Sequence, residues 1–281
     1  MARYNPQQVI GYLCKSEMWL AQQEQMKSAL RISSARFRIC YLDKEDIMSK
    51  KSILNIPIKV DFSDIYSLAD LTIGTGVARQ RAFGQVIGKC DWSVDLDEMT
   101  ITFGDKTFGC SIIGSESDVS DTWLWGWANP HNGCTEEQTA AGIQAREVLS
   151  ECDEFTVPSY ELDETRNGHT LSMIITALSE ENVAYYRCPY DGGALYVQVK
   201  GLPDEAFAPT SVPDIASDAM QIIQGMECDH LLIFAGMLYQ NGYEFTATDT
   251  ALDCDFGEGK LHVDLELVDD GMHRATGVEI S

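Results

Sequence analysis

The 281-residue sequence has no uninterrupted apolar run near the ~20 residues that a membrane-spanning helix needs, so no membrane association is expected. Met1 to Gln8 has no positive cluster leading into an apolar stretch, which argues against a secretory signal. There is no Cys-x-x-Cys pair. The nine cysteines, at 14, 40, 90, 110, 134, 152, 188, 228 and 254, stand singly. An odd, scattered set without a signal reads as reduced thiols in the cytoplasm, used mostly as small apolar side chains. Phosphate-binding motifs are also missing: Gly74-x-Gly76 fails to become Gly-x-Gly-x-x-Gly at Arg79, and no Gly-Lys-Ser or Gly-Lys-Thr occurs. Gly114, Glu116 and Ser117 miss the Gly-x-Ser-x-Gly nucleophile turn. No cofactor is therefore expected.

Positive charge is the scarcer sign, with 20 Lys and Arg against 44 Asp and Glu, and it is unevenly placed. Residues 1–59 hold 10 basic and 5 acidic side chains, a balance of +5; the remainder holds 10 and 39, a balance of -29. Such a body repels nucleic acid, despite Lys27, Arg31, Arg36 and Arg38, and it steers basic partners toward itself. An apolar fraction of 44% is ordinary for a folded protein, so disorder does not explain the charge.

The periodicities predict an α+β protein of antiparallel meanders packed by helices, with helix-plus-meander modules that recur up to three times. Pro6 opens a helix to about Leu30, and Arg36 to Tyr41 alternates as a half-exposed strand. Ile56, Ile58 and Val60 form an edge strand around Pro57. A helix capped by Asp61 or Ser63 runs toward Gly84–Gly88, and strands follow near Trp92, Met99, Phe108 and Trp123. Thr135 with Gln138 has capping-box spacing, and Asp163 is the expected cap of a helix carrying Leu171, Ile174, Ile175 and Leu178. Asp191-Gly192-Gly193 marks a hairpin. The proline-rich stretch from Gly201 to Asp214 reads as a linker, then come two short helices and a last meander. Three regions result: 1–60, 61–201 with the tryptophan strand, and 202–281.

Asp121 to Pro130 places Trp123, Trp125 and Trp127 at every second position, the period of a strand. The three indoles are expected on one buried face, as structural core and not as a stacking platform. Trp-Leu-Trp-x-Trp-Ala-Asn-Pro resembles a signature of a family of uncharacterised bacterial proteins, and Tyr186-Arg187-Cys188-Pro189 with Gly192-Gly193 and Tyr196 resembles that family's second block. Gly126 stands where alanine is expected. The resemblance covers about Asp61 to Gly201; it implies a bacterial cytosolic source and supplies no activity and no catalytic residues.

Among candidate chemical groups, His131 and Cys134 follow the tryptophan strand, where an imidazole could activate a thiol. Cys228 and His230 are separated by one residue and lack the second ligand pair of a zinc site, so no metal is expected. Asp253, Asp255 and Glu258 resemble a fragment of a calcium loop, but alternate aspartates on the outer face of a strand describe them better. The reading favoured here is an acidic cytosolic interaction protein, immunity or antitoxin-like, that binds a basic protein partner without catalysis. Its binding residues would be Asn129, Asp253, Asp255, Asp264 and Glu266. The rival reading is a small-molecule enzyme with a site near Asn129, His131 and Cys134. The sequence assigns no oligomeric state.

Overall fold

The computed structural model describes residues 53–129 and 133–281. The helix expected to Leu30, the strand from Arg36 to Tyr41, and His131 lie outside them. The described chain is α+β, as its periodicities predict. After a single 3-10 turn at Ile53–Asn55, helix α1 (Ile65–Ile87) leads into β1 (Trp92–Asp95), β2 (Thr100–Phe103), β3 (Lys106–Ser117) and β4 (Thr122–Trp125). Helices α2 (Ala140–Val148) and α3 (Asp153–Thr156) precede β5 (Ser159–Glu161) and α4 (Gly168–Leu178). The hairpin β6 (Ala184–Tyr190) and β7 (Gly193–Lys200) follows. Helices α5 (Val212–Gly225) and α6 (His230–Gln240) then lead to β8 (Phe245–Ala247), β9 (Ala251–Asp255), β10 (Lys260–Leu267) and β11 (His273–Ile280).

All strand pairs are antiparallel and form two sheets. In the seven-stranded sheet the 12-residue β3 is the axis. One of its edges pairs with β7 over Gly109–Ser117; the other pairs first with β2 and then with β4. Between those two partners the Ile112 N–H would be orphaned, and it donates instead to the Gln138 carbonyl at 2.7 Å. The sheet curls: rings from strands at its opposite edges meet, with Trp92 of β1 and Tyr186 of β6 at 5.3 Å between centroids. Phe83 of α1 and Phe103 of β2 join them within one of two cores.

The larger core gathers the helices, the opposite face of β3 and β7, and the inner face of the second sheet. That sheet has the order β11-β10-β9-β8 and buries Leu252, Cys254, Leu261, Val263 and Leu265. Helix α1 packs against both α4 and α6. Gly74 and Gly76, which weaken a helix in isolation, sit where α6 and α4 come close: added Cβ atoms would meet Met237 Cγ at 2.3 Å and Met173 Cβ at 3.1 Å. Helix α4 closes only in part on itself, through Ser179 N–H to the Thr176 carbonyl (3.3 Å). Its C-terminal end is closed by Arg79 of α1, whose guanidinium donates to the carbonyls of Thr176, Ser179 (2.9 Å) and Glu181 (3.0 Å), and by Gln240 of α6, which donates to Ala177 (2.7 Å).

Several expectations are corrected. Ile56, Ile58 and Val60 form no strand; Ile56 N–H turns back to the Ile53 carbonyl (3.0 Å), and Ile53 and Ile56 are buried as anchors beside Pro57, which has no N–H to give a ladder. The cap of α1 is Asp64, which accepts from Ser67 N–H at 2.9 Å, while Asp61 holds the preceding turn through Ser63. The Thr135–Gln138 box forms, with Thr135 N–H donating to Gln138 Oε1 at 2.8 Å, but it closes a turn, and α2 begins only at Ala140. Asn167 caps α4 through the N–H groups of His169 and Thr170; Asp163 takes those of Thr165 and Arg166 just before it. The tryptophan strand ends at Trp125. Residues Gly126–Ala128 turn into a 3-10 helix, so Trp127 leaves the strand face and is half-buried, stacking on Trp125 at 6.3 Å beneath the Arg146 guanidinium. The turn is forced where Gly126 presses on β3: a Cβ there would lie 2.8 Å from Ile112 Cγ2.

Candidate functional site

Three polar constellations stand out: one on the helix-facing side of the seven-stranded sheet, one on the outside of the second sheet, and one at the junction of α1, α6 and β11. The first is built around Glu116, near the end of β3. Its Oε1 accepts the Gly168 N–H at the start of α4 (2.7 Å), its Oε2 accepts the Tyr196 hydroxyl from β7 (2.8 Å), and Arg187 Nε of β6 lies 3.8 Å away. A carboxylate at a helix N-terminus satisfies orphan donors and opposes the helix dipole. Beside it, His169 Nδ1 meets the Tyr185 hydroxyl at 3.0 Å, and its ring stands edge-on to Tyr196. Burial, reinforced by Arg187, lowers the His169 pKa to about 3, so the imidazole is neutral at physiological pH. Gly168 makes this possible, because any Cβ would fall 2.5 Å from the Tyr196 ring. The arrangement locks four elements together.

Sequence alone names Glu116 only for a motif it fails, and Arg187 and Tyr196 only within the resembling family's second block; Gly168, His169 and Tyr185 carry no such mark. A signal existed: an acid on the same strand face as Gly114, in a run otherwise free of charge, needs donors from elsewhere.

The second constellation covers the outward face of β9 and β10. Strand alternation sends Leu252, Cys254, Leu261, Val263 and Leu265 inward, and leaves Asp253, Asp255, Asp264 and Glu266 exposed. Glu279 of β11 extends the same face, opposite His262 in register. His262 is ringed by acid: Nδ1 lies 2.7 Å from Asp253 Oδ1 and Nε2 3.2 Å from Asp264 Oδ1. Only imidazolium can donate to both, and those bonds raise its pKa above the ordinary value. Lys260 flanks one end of the face. Arg274, opposite Glu266, is engaged with the Cys228 carbonyl (2.8 Å), Asp270 and Glu227.

The loop after the tryptophan strand gives the enzyme reading less. Asn129 caps the 3-10 turn, donating weakly to the Gly126 carbonyl at 3.4 Å. Cys134 is half-buried, and burial raises its thiol pKa, the opposite of what a nucleophile needs. Cys228 and His230 do not converge: the Cys228 thiol faces the Met226 carbonyl at 3.8 Å, and His230 Nδ1 accepts the Ala275 N–H at 2.9 Å. Among the described residues no group of three or more His, Cys, Asp and Glu is placed to hold a metal ion, no disulfide forms, and no helix is long and apolar enough to cross a membrane.

A third cluster ties the helices to the second sheet. Asp70 of α1 is buried and accepts the Asp229 N–H at 2.8 Å. Asp229 in turn caps α6 through Leu232 N–H and takes both His273 N–H (3.0 Å) and His273 Nδ1 (2.9 Å). Burial pushes the Asp70 pKa up to about 8; the Asp229 N–H bond and Arg274 oppose the rise, while the charges of Asp229 and Asp64 add to it.

With this geometry in hand, residues 66–202 match the model of a family of unknown function (DUF6882), just under half of the chain. The match is consistent with an uncharacterised family and runs from the start of α1 to just beyond β7. It contains the Glu116 cluster and both tryptophan-strand and hairpin blocks; the acidic face lies outside it. No curated protein and no solved structure matches this chain.

Proposed function

We propose that this chain is a non-enzymatic interaction protein of the bacterial cytoplasm, of the immunity or antitoxin kind, that binds a basic protein partner across the outer face of its second sheet. One observation carries the reading. Five carboxylates, Asp253, Asp255, Asp264, Glu266 and Glu279, are exposed on one sheet face, with His262 at their centre. Repulsion among them is relieved when a cationic surface covers the face, and attraction of this kind acts chiefly on encounter.

The test is to recover the partner from native cells and follow its association with the protein across salt. Association should slow by about a decade or more as the screening length contracts from ~10 Å at 0.1 M to ~3 Å at 1 M. Asp253→Lys with Asp264→Lys should slow it at low salt to a similar degree. An acidic partner, or a rate indifferent to both salt and charge reversal, would leave the carboxylates as solubilising groups only.

A further inference from the structure

The second sheet ends in an edge strand that is closed along one half and open along the other. Lys260 and Ser281 exchange both N–H···O bonds (2.9 and 3.0 Å), which fixes the alternation of the β10–β11 ladder. From that pair, and across the irregularity between Asp264 and Leu265, residues 273, 275, 278 and 280 of β11 turn their N–H groups away from β10. The first two are satisfied by the start of α6: His273 N–H donates to Asp229 Oδ2 and Ala275 N–H to His230 Nδ1 (2.9 Å). Among the described residues Val278 and Ile280 have no such cover, and their outward N–H groups meet no acceptor. Unprotected edges of this sort are templates for a further strand.

The side chains specify what kind of strand. Val278 and Ile280 pair with the inward-facing Val263 and Leu261, yet Val278 is only half-buried and Ile280 is 46% exposed, because among the described residues no strand extends the inner face beyond β11. Glu279 points to the opposite, acidic face. So does the Asp264 carboxylate, and it leans over β11: its Oδ2 lies 2.7 Å from where a Cβ on Gly277 would stand, so the missing side chain lets the charge reach toward the open edge. A strand added here would need apolar residues opposite Val278 and Ile280, and basic residues opposite Gly277 and Glu279.

We propose that the open half of β11 captures an extended segment of the partner in which apolar and basic residues alternate, added antiparallel as a fifth strand through the backbone groups of Val278 and Ile280. This rests on the acidic-face reading and names the form of the basic partner that the face accepts.

The probe is a capped ten-residue peptide of alternating valine and lysine, titrated against the full chain. It should bind at least tenfold tighter than a peptide of the same composition with its lysines in one block. N-methylation of the valines, whose N–H groups would face β11, should abolish binding, whereas N-methylation of the lysines should leave it within about threefold. Val278→Pro removes an edge donor at a position where proline suits a strand, and should cost tenfold or more with circular dichroism unchanged. Should that variant misfold, the two N-methylated peptides still decide the matter. Equal binding of alternating and blocked peptides, or none of either, overturns strand addition. If that equal binding is salt-sensitive and lost in Asp253→Lys with Asp264→Lys, the acidic-face reading survives alone. Alternation-dependent binding that ignores salt and charge reversal overturns the basic assignment of both. Concentration-dependent dimerisation blocked by Val278→Pro would place a second copy at the edge and overturn the peptide as its occupant.

Discussion

The two sheets treat charge in opposite ways. In the seven-stranded sheet the middle of β3, Cys110 to Gly114, is buried on both faces, and the acid beside it, Glu116, is matched donor by donor by Gly168 and Tyr196. In the four-stranded sheet one face is core and the other carries carboxylates whose nearest cation, His262, is outnumbered. The first uses polar groups to fix the relation of strands to a helix; the second leaves them available. On the proposed reading, stability and recognition belong to different parts of the chain, and substitutions in the two should separate cleanly.

The sharpest break of that division is Trp125→Ala. Trp125 is fully buried between Trp123 and Phe155 and donates from Nε1 to the Glu154 carbonyl at 2.9 Å. Its loss should cost about 3–5 kcal/mol in chemical denaturation. Glu116→Ala comes next, at about 2–4 kcal/mol, because it orphans the Gly168 N–H and the Tyr196 hydroxyl together. Tyr196→Phe should cost less, about 1–2 kcal/mol, and a larger loss than in the alanine variant would show that Glu116 is not the organising group.

The junction between the sheets should respond to pH. Folded Asp70 keeps its proton up to about pH 8, whereas the unfolded chain releases it near pH 4. Unfolding therefore releases a proton throughout that window, and stability falls as pH rises through it, by about 2 kcal/mol between pH 6 and 8. Asp70→Asn retains an acceptor for the Asp229 N–H, so a pH series of melting curves should flatten in that variant. The smallest stability effect is expected on the open face: Asp253→Asn with Asp255→Asn should change stability by no more than about 0.5 kcal/mol while weakening capture of a basic partner. Because His262 is a cation among those acids, its deprotonation above its raised pKa should strengthen that capture, which a binding series in pH would reveal as an increase absent from His262→Gln.

Local pattern was enough for much of this architecture. Leu171, Ile174, Ile175 and Leu178 mark α4, Asp191-Gly192 marks its hairpin with Gly192 at φ +88°, and the alternation of Leu261, Val263 and Leu265 marks β10 and its outward acids. What local pattern misses is decided by partners distant in sequence. Asp163 and Asn167 are equally good caps by chemistry; the helix starts at Asn167 because Glu116, 52 residues away from Gly168, takes the Gly168 N–H. Trp127 obeys the strand period in sequence and breaks it in space because β3 crowds Gly126. The gap between β2 and β4, filled by Gln138, has no local signature at all. The outward acids of the second sheet were legible residue by residue; the edge beside them was not, since it depends on which N–H groups α6 reaches.

The borrowed ending of helix α4 has a kinetic corollary. Its last carbonyls are met by Arg79, roughly a hundred positions earlier, and by Gln240, some sixty later. A nascent chain can start α4 once Asn167 and the earlier Glu116 are in place and can turn its end back through Ser179, but the remaining carbonyls wait for α1 and α6 to dock, so closure of long loops must precede that step. Protection from amide exchange in the last turn of α4 should accordingly emerge together with protection in α6, and later than in the β6–β7 hairpin, whose turn needs nothing from outside.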